Sequence, residues 1–187
     1  MRNRASSMEA CLFGRKISTH IVFLGLMITL VSYGCNQSNG RMIAQPLNWT
    51  GRIVDEIPGN ASVVGSTYLS VYSEIYIYSE NDFRPMTATI SMRNTNRADT
   101  VFVNKIEYFN THGTLVKSYI DNSIFIAPME TVEIVIGQMD LEGGTGANFY
   151  FDWAIARGVN VPFFEGIMVS HTGAQAFSFV TQGQRVD

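Results

Sequence analysis

Short runs of alternating apolar and polar residues fill the chain from about Thr67 onward, and this alternation constrains the fold more than any other feature. Two clear examples are Ala88-Thr89-Ile90-Ser91-Met92 and Phe149-Tyr150-Phe151-Asp152-Trp153. A period of two residues is typical of a β-strand that buries one face. Turn-forming residues separate the runs about every 8–12 residues, and no segment shows the period of an amphipathic helix. The sequence therefore predicts an all-β domain of about eight to nine strands, and we expect an immunoglobulin-like β-sandwich.

One turn is defined by its sequence alone. Thr111-His112-Gly113-Thr114 lies between a β-branched and aromatic run that ends at Phe109 and a second run that begins at Leu115. Glycine adopts the positive φ angles that tight hairpin turns require. We therefore predict a β-hairpin with Gly113 in its turn.

The first 34 residues are organised like a secretory signal peptide. Basic residues precede an apolar run that starts at Ile21, and small residues follow this run up to Gly34. This apolar segment is shorter than the roughly 20 residues that a membrane-spanning helix needs. We expect residues 1–34 to be a cleaved signal peptide, and a permanent transmembrane helix is the alternative.

Cys35 follows this segment directly. Val31-Ser32-Tyr33-Gly34-Cys35 resembles the lipobox of bacterial lipoproteins, in which the cysteine becomes the acylated first residue. Ser32 and Tyr33 depart from the usual lipobox, which has leucine and a small residue at those places. The resemblance implies a lipoprotein held by acyl chains on Cys35, and we expect it on the periplasmic side of the bacterial cell envelope. The alternative is an ordinary signal peptide that is followed by an incidental cysteine.

Residues 35–65 differ in composition from the rest of the chain. They are rich in Asn, Gln, Ser, Gly and Pro and show no lasting period, so we predict a flexible tether here and a β-sandwich domain over residues 66–187. The whole chain has 13 Lys and Arg against 16 Asp and Glu, a net charge of -3. Without a basic footprint, we expect no nucleic-acid partner.

Four segments in order resemble a bacterial family that is catalogued as domain of unknown function 3124. The segments are Val71–Tyr76, Ala88–Thr95, Gly143–Phe149 and Phe164–Met168. The likeness extends from about Thr67 to Gly183, and the chain has Asp152 where the family tends to have Glu before Trp. The resemblance implies a domain of the bacterial envelope, and it implies no activity, substrate or catalytic residue.

Tyrosines occupy alternate positions of the predicted first strand. Tyr68, Tyr72, Tyr76 and Tyr78 share one face by parity, and Leu69, Val71, Ile75 and Ile77 share the other. We expect the aliphatic face to be the core, because it has no hydroxyl groups to satisfy. Tyr72, Tyr76 and Tyr78 then form a candidate binding surface, since tyrosine is enriched at interfaces. The alternatives are a strand buried on both faces and tyrosines covered by the tether.

The longest predicted loop is glycine-rich and spans residues 137–147. Long loops on a rigid scaffold often carry function, and the candidate residues are Asp140, Glu142, Gly143, Gly144, Gly146 and Asn148. The loop lacks the Gly-Lys-Ser/Thr ending of a phosphate-binding loop and leads into a strand. Two acidic residues are too few for a calcium site. We predict no metal and no cofactor, and a plain connection with left-handed glycines is the alternative.

Glu165 is the candidate buried carboxylate, because it shares a face with Phe163, Ile167 and Val169. A structural pairing with Arg93 and a solvent-facing position are the alternatives. We therefore expect a lipid-anchored binding or interaction module without catalysis, whose partner is an envelope protein or glycan. The alternative function is an envelope glycan hydrolase that uses Asp152 and Glu165, if the two carboxylates face one cleft.

Overall fold

The computed structural model describes residues 49–173 and 175–187, which belong to one compact unit, Gln45–Asp187. The predicted signal peptide and Cys35 lie outside the described residues. No helix in this part of the chain is long and apolar enough to cross a membrane.

The described chain is all-β, as predicted, with two short 3-10 turns at Thr50–Arg52 and Gly144–Gly146. Its strands are β1 (Val63–Val71), β2 (Glu74–Tyr76), β3 (Phe83–Pro85), β4 (Thr87–Arg93), β5 (Val101–Phe109), β6 (Leu115–Ser118), β7 (Ile124–Ile126), β8 (Thr131–Ile136), β9 (Ala147–Ile155), β10 (Phe163–Thr172), β11 (Gln175–Gln182) and β12 (Gln184–Arg185). More strands occur than the sequence predicts, because strands of two or three residues are too short to show a period.

The strands form three antiparallel sheets. One has six strands in the order β12-β1-β9-β5-β6, with β7 also paired to β5. The second has the order β11-β10-β4-β8, and β2 and β3 form a separate two-stranded sheet. The predicted hairpin is confirmed, because β5 pairs with β6 and Gly113 has a φ of 75°.

The two larger sheets share one hydrophobic core. Alternate residues of β9, among them Phe149, Phe151 and Trp153, are buried and face this core. The ring of Phe151 stacks on Phe164 of β10 with 4.2 Å between centroids, which joins the two sheets. Burying each such side chain contributes about 1.5–3 kcal/mol. The fold therefore rests on contact between the inner faces of two sheets.

The segment before β1 lies along the outside of the domain. Arg52 makes two hydrogen bonds to the Glu130 carboxylate, at 2.7 and 2.8 Å, and these bonds hold the pKa of Glu130 below its usual value. The backbone N–H of Val54 donates to Ser123 at 2.9 Å, and Trp49 packs against the core. Residues 49–54 thus lie against the domain rather than free of it, and the extent of a flexible tether before them stays a prediction.

Candidate functional site

Three connecting segments meet at one end of the domain. They are the β1–β2 junction with the β2–β3 hairpin (residues 72–84), the β5–β6 turn (residues 110–114) and the glycine-rich loop before β9 (residues 137–146), and we call this region the loop end. The carbonyl of Gly144 accepts a hydrogen bond from the backbone N–H of Ser73 at 3.1 Å. The Thr111 hydroxyl donates to the Gly143 carbonyl at 3.0 Å and accepts from the N–H of Gly146 at 2.9 Å. These bonds attach the end of the glycine-rich loop both to the β1–β2 junction and to the β5–β6 turn.

The glycines of this loop allow a close approach of the backbone to buried side chains. A Cβ at Gly143 would collide with the hydroxyl of Tyr108 and would lie 2.6 Å from the Ser73 hydroxyl. Gly144 has a φ of 73°, in the left-handed region that favours glycine. The alternative of a plain connection with a left-handed glycine therefore explains Gly143 and Gly144 without a phosphate ligand.

A buried hydrogen bond lies directly beneath Gly143. The hydroxyls of Ser73 and Tyr108 are 2.8 Å apart, and both side chains are fully buried. Burial raises the pKa of Tyr108, and the carboxylates of Asp140 and Glu142 raise it further, against the opposing hydrogen bond from Ser73. Both hydroxyls thus find a partner inside the protein, as buried polar groups require.

Tyr119 continues this aromatic region along the six-stranded sheet. Its ring centroid lies 5.6 Å from that of Phe149, which stacks on Tyr108 at 4.8 Å. Burial, together with the charges of Tyr108 and Asp140, raises the pKa of Tyr119 to about 12. The Tyr119 phenol is therefore neutral at physiological pH.

The loop end exposes a set of large apolar side chains. Its members, which we call the apolar cluster, are Tyr76, Tyr78 and Phe83 of the hairpin and Met139 and Leu141 of the glycine-rich loop. Tyr78 is 84% exposed and Met139 is 93% exposed, and the Tyr76 and Phe83 rings pair with each other at 5.0 Å. The two segments are neighbours because Ser73 and Gly144 are hydrogen-bonded. Single exposed apolar residues are ordinary, whereas a contiguous set of them is unusual on a folded surface.

The predicted single face of tyrosines is wrong. The first strand ends at Val71, because the backbone of Ser73 turns away to bond Gly144 and Met86. Tyr72 is half-buried and its ring meets Phe179 of β11 edge-on at 5.6 Å, whereas Tyr76 and Tyr78 lie in the hairpin. The structure therefore brings two of the three tyrosines to the exposed loop end and packs the third against β11.

The expected aliphatic face is also interrupted at this point. Leu69 and Val71 are fully buried in the core, as predicted, but Ile75 is half-buried and Ile77 is exposed. The prediction is thus confirmed for β1 and wrong for the hairpin. The reason is that the two-stranded β2–β3 sheet does not belong to either of the two sheets that enclose the core.

The remaining loop candidates are placed as follows. Asp140 and Glu142 are exposed, and the N–H of Glu142 donates to the Asp140 carboxylate at 3.3 Å. Asn148 lies within β9, where it pairs with Ser70 and Phe109 on the neighbouring strands. Over residues 49–173 and 175–187, no three metal-binding side chains come together.

Asp152 and Glu165 lie on opposite sides of the molecule. Asp152 points outward from the six-stranded sheet, where it accepts from the Ser66 hydroxyl at 2.7 Å and lies 3.6 Å from the Lys105 ammonium. Glu165 points outward from the four-stranded sheet and pairs with Arg93 at 3.2 Å. Packed sheets are separated by about 10 Å even before outward side chains add to the distance. The two carboxylates therefore do not flank one glycosidic bond, which needs a separation of roughly 5–10 Å.

Glu165, the candidate buried carboxylate, does not face the core. Its neighbours Phe164 and Gly166 are buried, on the opposite face of β10, and the Glu165 side chain is 19% exposed. The alternative pairing with Arg93 is the one found in the structure.

Phe83, Met139 and Leu141 are not among the candidate residues predicted from the sequence. Each is a large apolar residue inside a segment of turn-forming or acidic residues, such as Asn81-Asp82-Phe83. An apolar side chain in such surroundings has no strand period to bury it, and this is the signal that could have identified the apolar cluster.

Comparison with known proteins gives a family and one solved structure. A family model described as "Protein of unknown function (DUF3124)" matches residues 64–186, which confirms the resemblance drawn from the sequence. No curated protein matches significantly. The chain is also similar to a solved structure, "Crystal Structure of Thermotoga maritima 1070", at 10% identity and a TM-score of 0.42. The match covers 64% of this chain and 92% of that one.

Proposed function

We propose that this chain, which belongs to the DUF3124 family, is a lipid-anchored binding module of the bacterial cell envelope. Acyl chains on Cys35 hold it to the membrane on the periplasmic side, and the loop end binds an envelope protein or glycan. The proposal includes no catalysis, no cofactor and no nucleic-acid partner.

The observation that carries this proposal is the apolar cluster. Tyrosine, phenylalanine and methionine are enriched in interfaces, and here they are held at the loop end with much of their surface in water. The hydrogen bonds from Thr111 and Ser73 hold the backbone of the glycine-rich loop at Gly143 and Gly144, next to this surface. Less conformational entropy is then lost on binding, which favours affinity.

A glycan hydrolase finds less support. Asp152 and Glu165 are each engaged by a cation on opposite outer faces, so neither is available to the other as a catalytic partner. At the loop end, the exposed Asp140 and Glu142 alternate along the chain with the apolar Met139 and Leu141.

We further propose that the two larger sheets form an immunoglobulin-like β-sandwich whose outermost strands have exchanged places. The pairs β4–β8 and β5–β9 match the B–E and C–F pairs of that fold. In contrast, β1 lies beside β9, where the last strand would be, and β10 lies beside β4, where the first strand would be. An experimental structure that pairs β1 with β4 would contradict this assignment.

Anchoring is tested by Cys35→Ser. We expect this change to release the protein from washed membranes and to remove a lipid-sized mass from the purified chain. A wild-type chain without added lipid mass, together with unchanged retention of the variant, would contradict the anchor.

Binding is tested with the released Cys35→Ser chain, titrated onto washed cell envelopes. We expect saturable binding that Tyr78→Lys combined with Met139→Lys abolishes. Val135→Lys is the matched control, because Val135 is also apolar and exposed (62%) but lies on β8. Equal loss of binding in both variants would show that the loop end has no special part in it.

A further inference from the structure

β11 is an unprotected edge strand. It is the outermost strand of the four-stranded sheet, pairs with β10 without a bulge, and has no strand on its other side among the described residues. Its eight residues, Gln175–Gln182, include no charged residue and no proline. Native proteins usually block long edges with charges, proline, bulges or shortness, because a free edge can pair with another chain.

The other edge strands of the two larger sheets are short or carry a charge, and β7, which pairs with β5 in the described chain, has three residues. β12 has two residues and includes Arg185, and β6 has four and includes Lys117. β8, at the far edge of the same four-stranded sheet, includes Glu133. The lack of protection is therefore specific to β11 and is not a general property of this fold.

We propose that β11 pairs antiparallel with β11 of a second copy of this chain, so that two four-stranded sheets become one sheet of eight strands. This interface does not include the apolar cluster, although Tyr72 and Arg84 of the loop end contact Phe179 and Phe177 of β11. The free part of the edge is Gln175–Val180, because the Thr181 hydroxyl donates to the Ser70 carbonyl on β1 at 2.7 Å and the chain then leaves for β12.

The side chains of β11 fit a two-fold axis that passes through Ser178. Phe177 and Phe179 face the core side of the sheet, and Ala176, Ser178 and Val180 face outward. With the axis at Ser178, Phe177 of each copy lies opposite Phe179 of the other copy. In the same way, Ala176 of each copy lies opposite Val180 of the other. Aromatic cross-strand pairs are favourable, and no like charges of β11 itself oppose each other, because the strand has none. The nearest cation is the Arg84 guanidinium, which lies 5.5 Å from the Phe177 ring centroid within each copy. Two-fold symmetric pairs are also the commonest oligomers.

The first test is Ser178→Cys in the full chain. At the proposed axis the two new cysteines lie directly opposite, with Cα atoms about 4.5–5.5 Å apart, a separation that a disulfide spans. We expect a covalent dimer on mild oxidation that reductant reverses. Val135→Cys, on the exposed face of β8, is the matched control. The wild type measures any crosslinking through Cys11 and Cys35. Crosslinking at 178 that is no greater than at 135 would overturn the proposal.

The second test is Ser178→Glu, which sets two carboxylates opposite each other at the axis. In sedimentation of the full chain in detergent, we expect a dimer of the wild type and a dissociation constant roughly tenfold higher or more for the variant, since like charges directly opposite are destabilising. The variant should keep the circular dichroism and melting temperature of the wild type, because Ser178 is exposed. The proposal is overturned if the wild type stays monomeric at every concentration. It is also overturned if the wild-type monomer pairs with a strand of another protein instead of a second copy. If the variant unfolds, the crosslinking result decides.

Discussion

The first strand and the hairpin that follows it have the same alternation of tyrosine and aliphatic residues but differ in the burial of the aliphatic residues. In β1, Leu69 and Val71 are fully buried, because β1 lies between β9 and β12 with the four-stranded sheet across the core. In the hairpin, Ile77 is 39% exposed and Tyr76 is 55% exposed, because β2 and β3 pair only with each other. The difference teaches that alternation identifies residues that share a face, whereas burial depends on whether another layer covers that face.

The largest effect that tests this comparison is Leu69→Ala. Removing a fully buried leucine side chain should cost about 2–5 kcal/mol of unfolding free energy, through lost burial and the cavity left behind. Ile77→Ala in the hairpin should cost under about 1 kcal/mol. Urea unfolding of the Cys35→Ser chain, followed by tryptophan fluorescence, measures both variants. Equal losses would mean that the hairpin is as much a part of the core as β1.

Gly143→Ala should have the next largest effect. The added methyl group collides with the Tyr108 hydroxyl and crowds the Ser73–Tyr108 hydrogen bond, and such overpacking costs about 1–3 kcal/mol. Gly137→Ala is the matched control in the same loop, because no atom lies within 4 Å of the added carbon. The same urea melts compare the two variants. If Gly137→Ala loses as much unfolding free energy as Gly143→Ala, the cause is the substitution of any glycine in this loop and not the close contact at Gly143.

A smaller effect is expected from the raised pKa of Tyr119. In the folded chain this pKa is about 12, above the usual value of about 10 in an unfolded chain. The unfolded chain therefore loses its proton first, and stability that is complete below about pH 10 falls as the pH rises toward 12. Tyr119→Phe should reduce this loss of stability but not remove it, because the raised pKa of Tyr108 contributes to the same loss. Unfolding free energies of the wild type and the variant, measured below and above pH 10, give the loss of stability with pH. The same loss in both chains would contradict the role of Tyr119.

The smallest effect on stability is expected at the tip of the hairpin. Tyr78→Ala should change the unfolding free energy by no more than about 0.5 kcal/mol, as at ordinary surface sites, because Tyr78 is 84% exposed. A loss as large as that of Leu69→Ala would show that Tyr78 packs against the domain.

Much of the fold follows from local sequence. The all-β class, the turn at Gly113 and the burial of Phe149, Phe151 and Trp153 all depend on a period of two or on the turn chemistry of a few neighbouring residues. In contrast, the end of β1 depends on Ser73 meeting Gly144, which is 71 positions away in the chain. No local pattern contains that contact.

The positions of the two carboxylates could not be read from the sequence for a related reason. Both faces of β10 are apolar, with Phe163 and Ile167 on one side and Phe164 and Met168 on the other, so the pattern could not decide which face is inward. The positions of Asp152 and Glu165 also depend on β9 and β10 joining different sheets, which is a property of the topology.

The most direct test of the loop end as a binding surface is the affinity of Tyr76→Ala combined with Phe83→Ala for washed envelopes, measured beside its unfolding free energy in the Cys35→Ser chain. We predict binding that is weaker by roughly tenfold or more, because aromatic anchors dominate interfaces, with a loss of stability under about 1 kcal/mol per residue. Unchanged affinity with a loss of stability as large as that of Leu69→Ala would contradict the assignment and would make these rings part of the core.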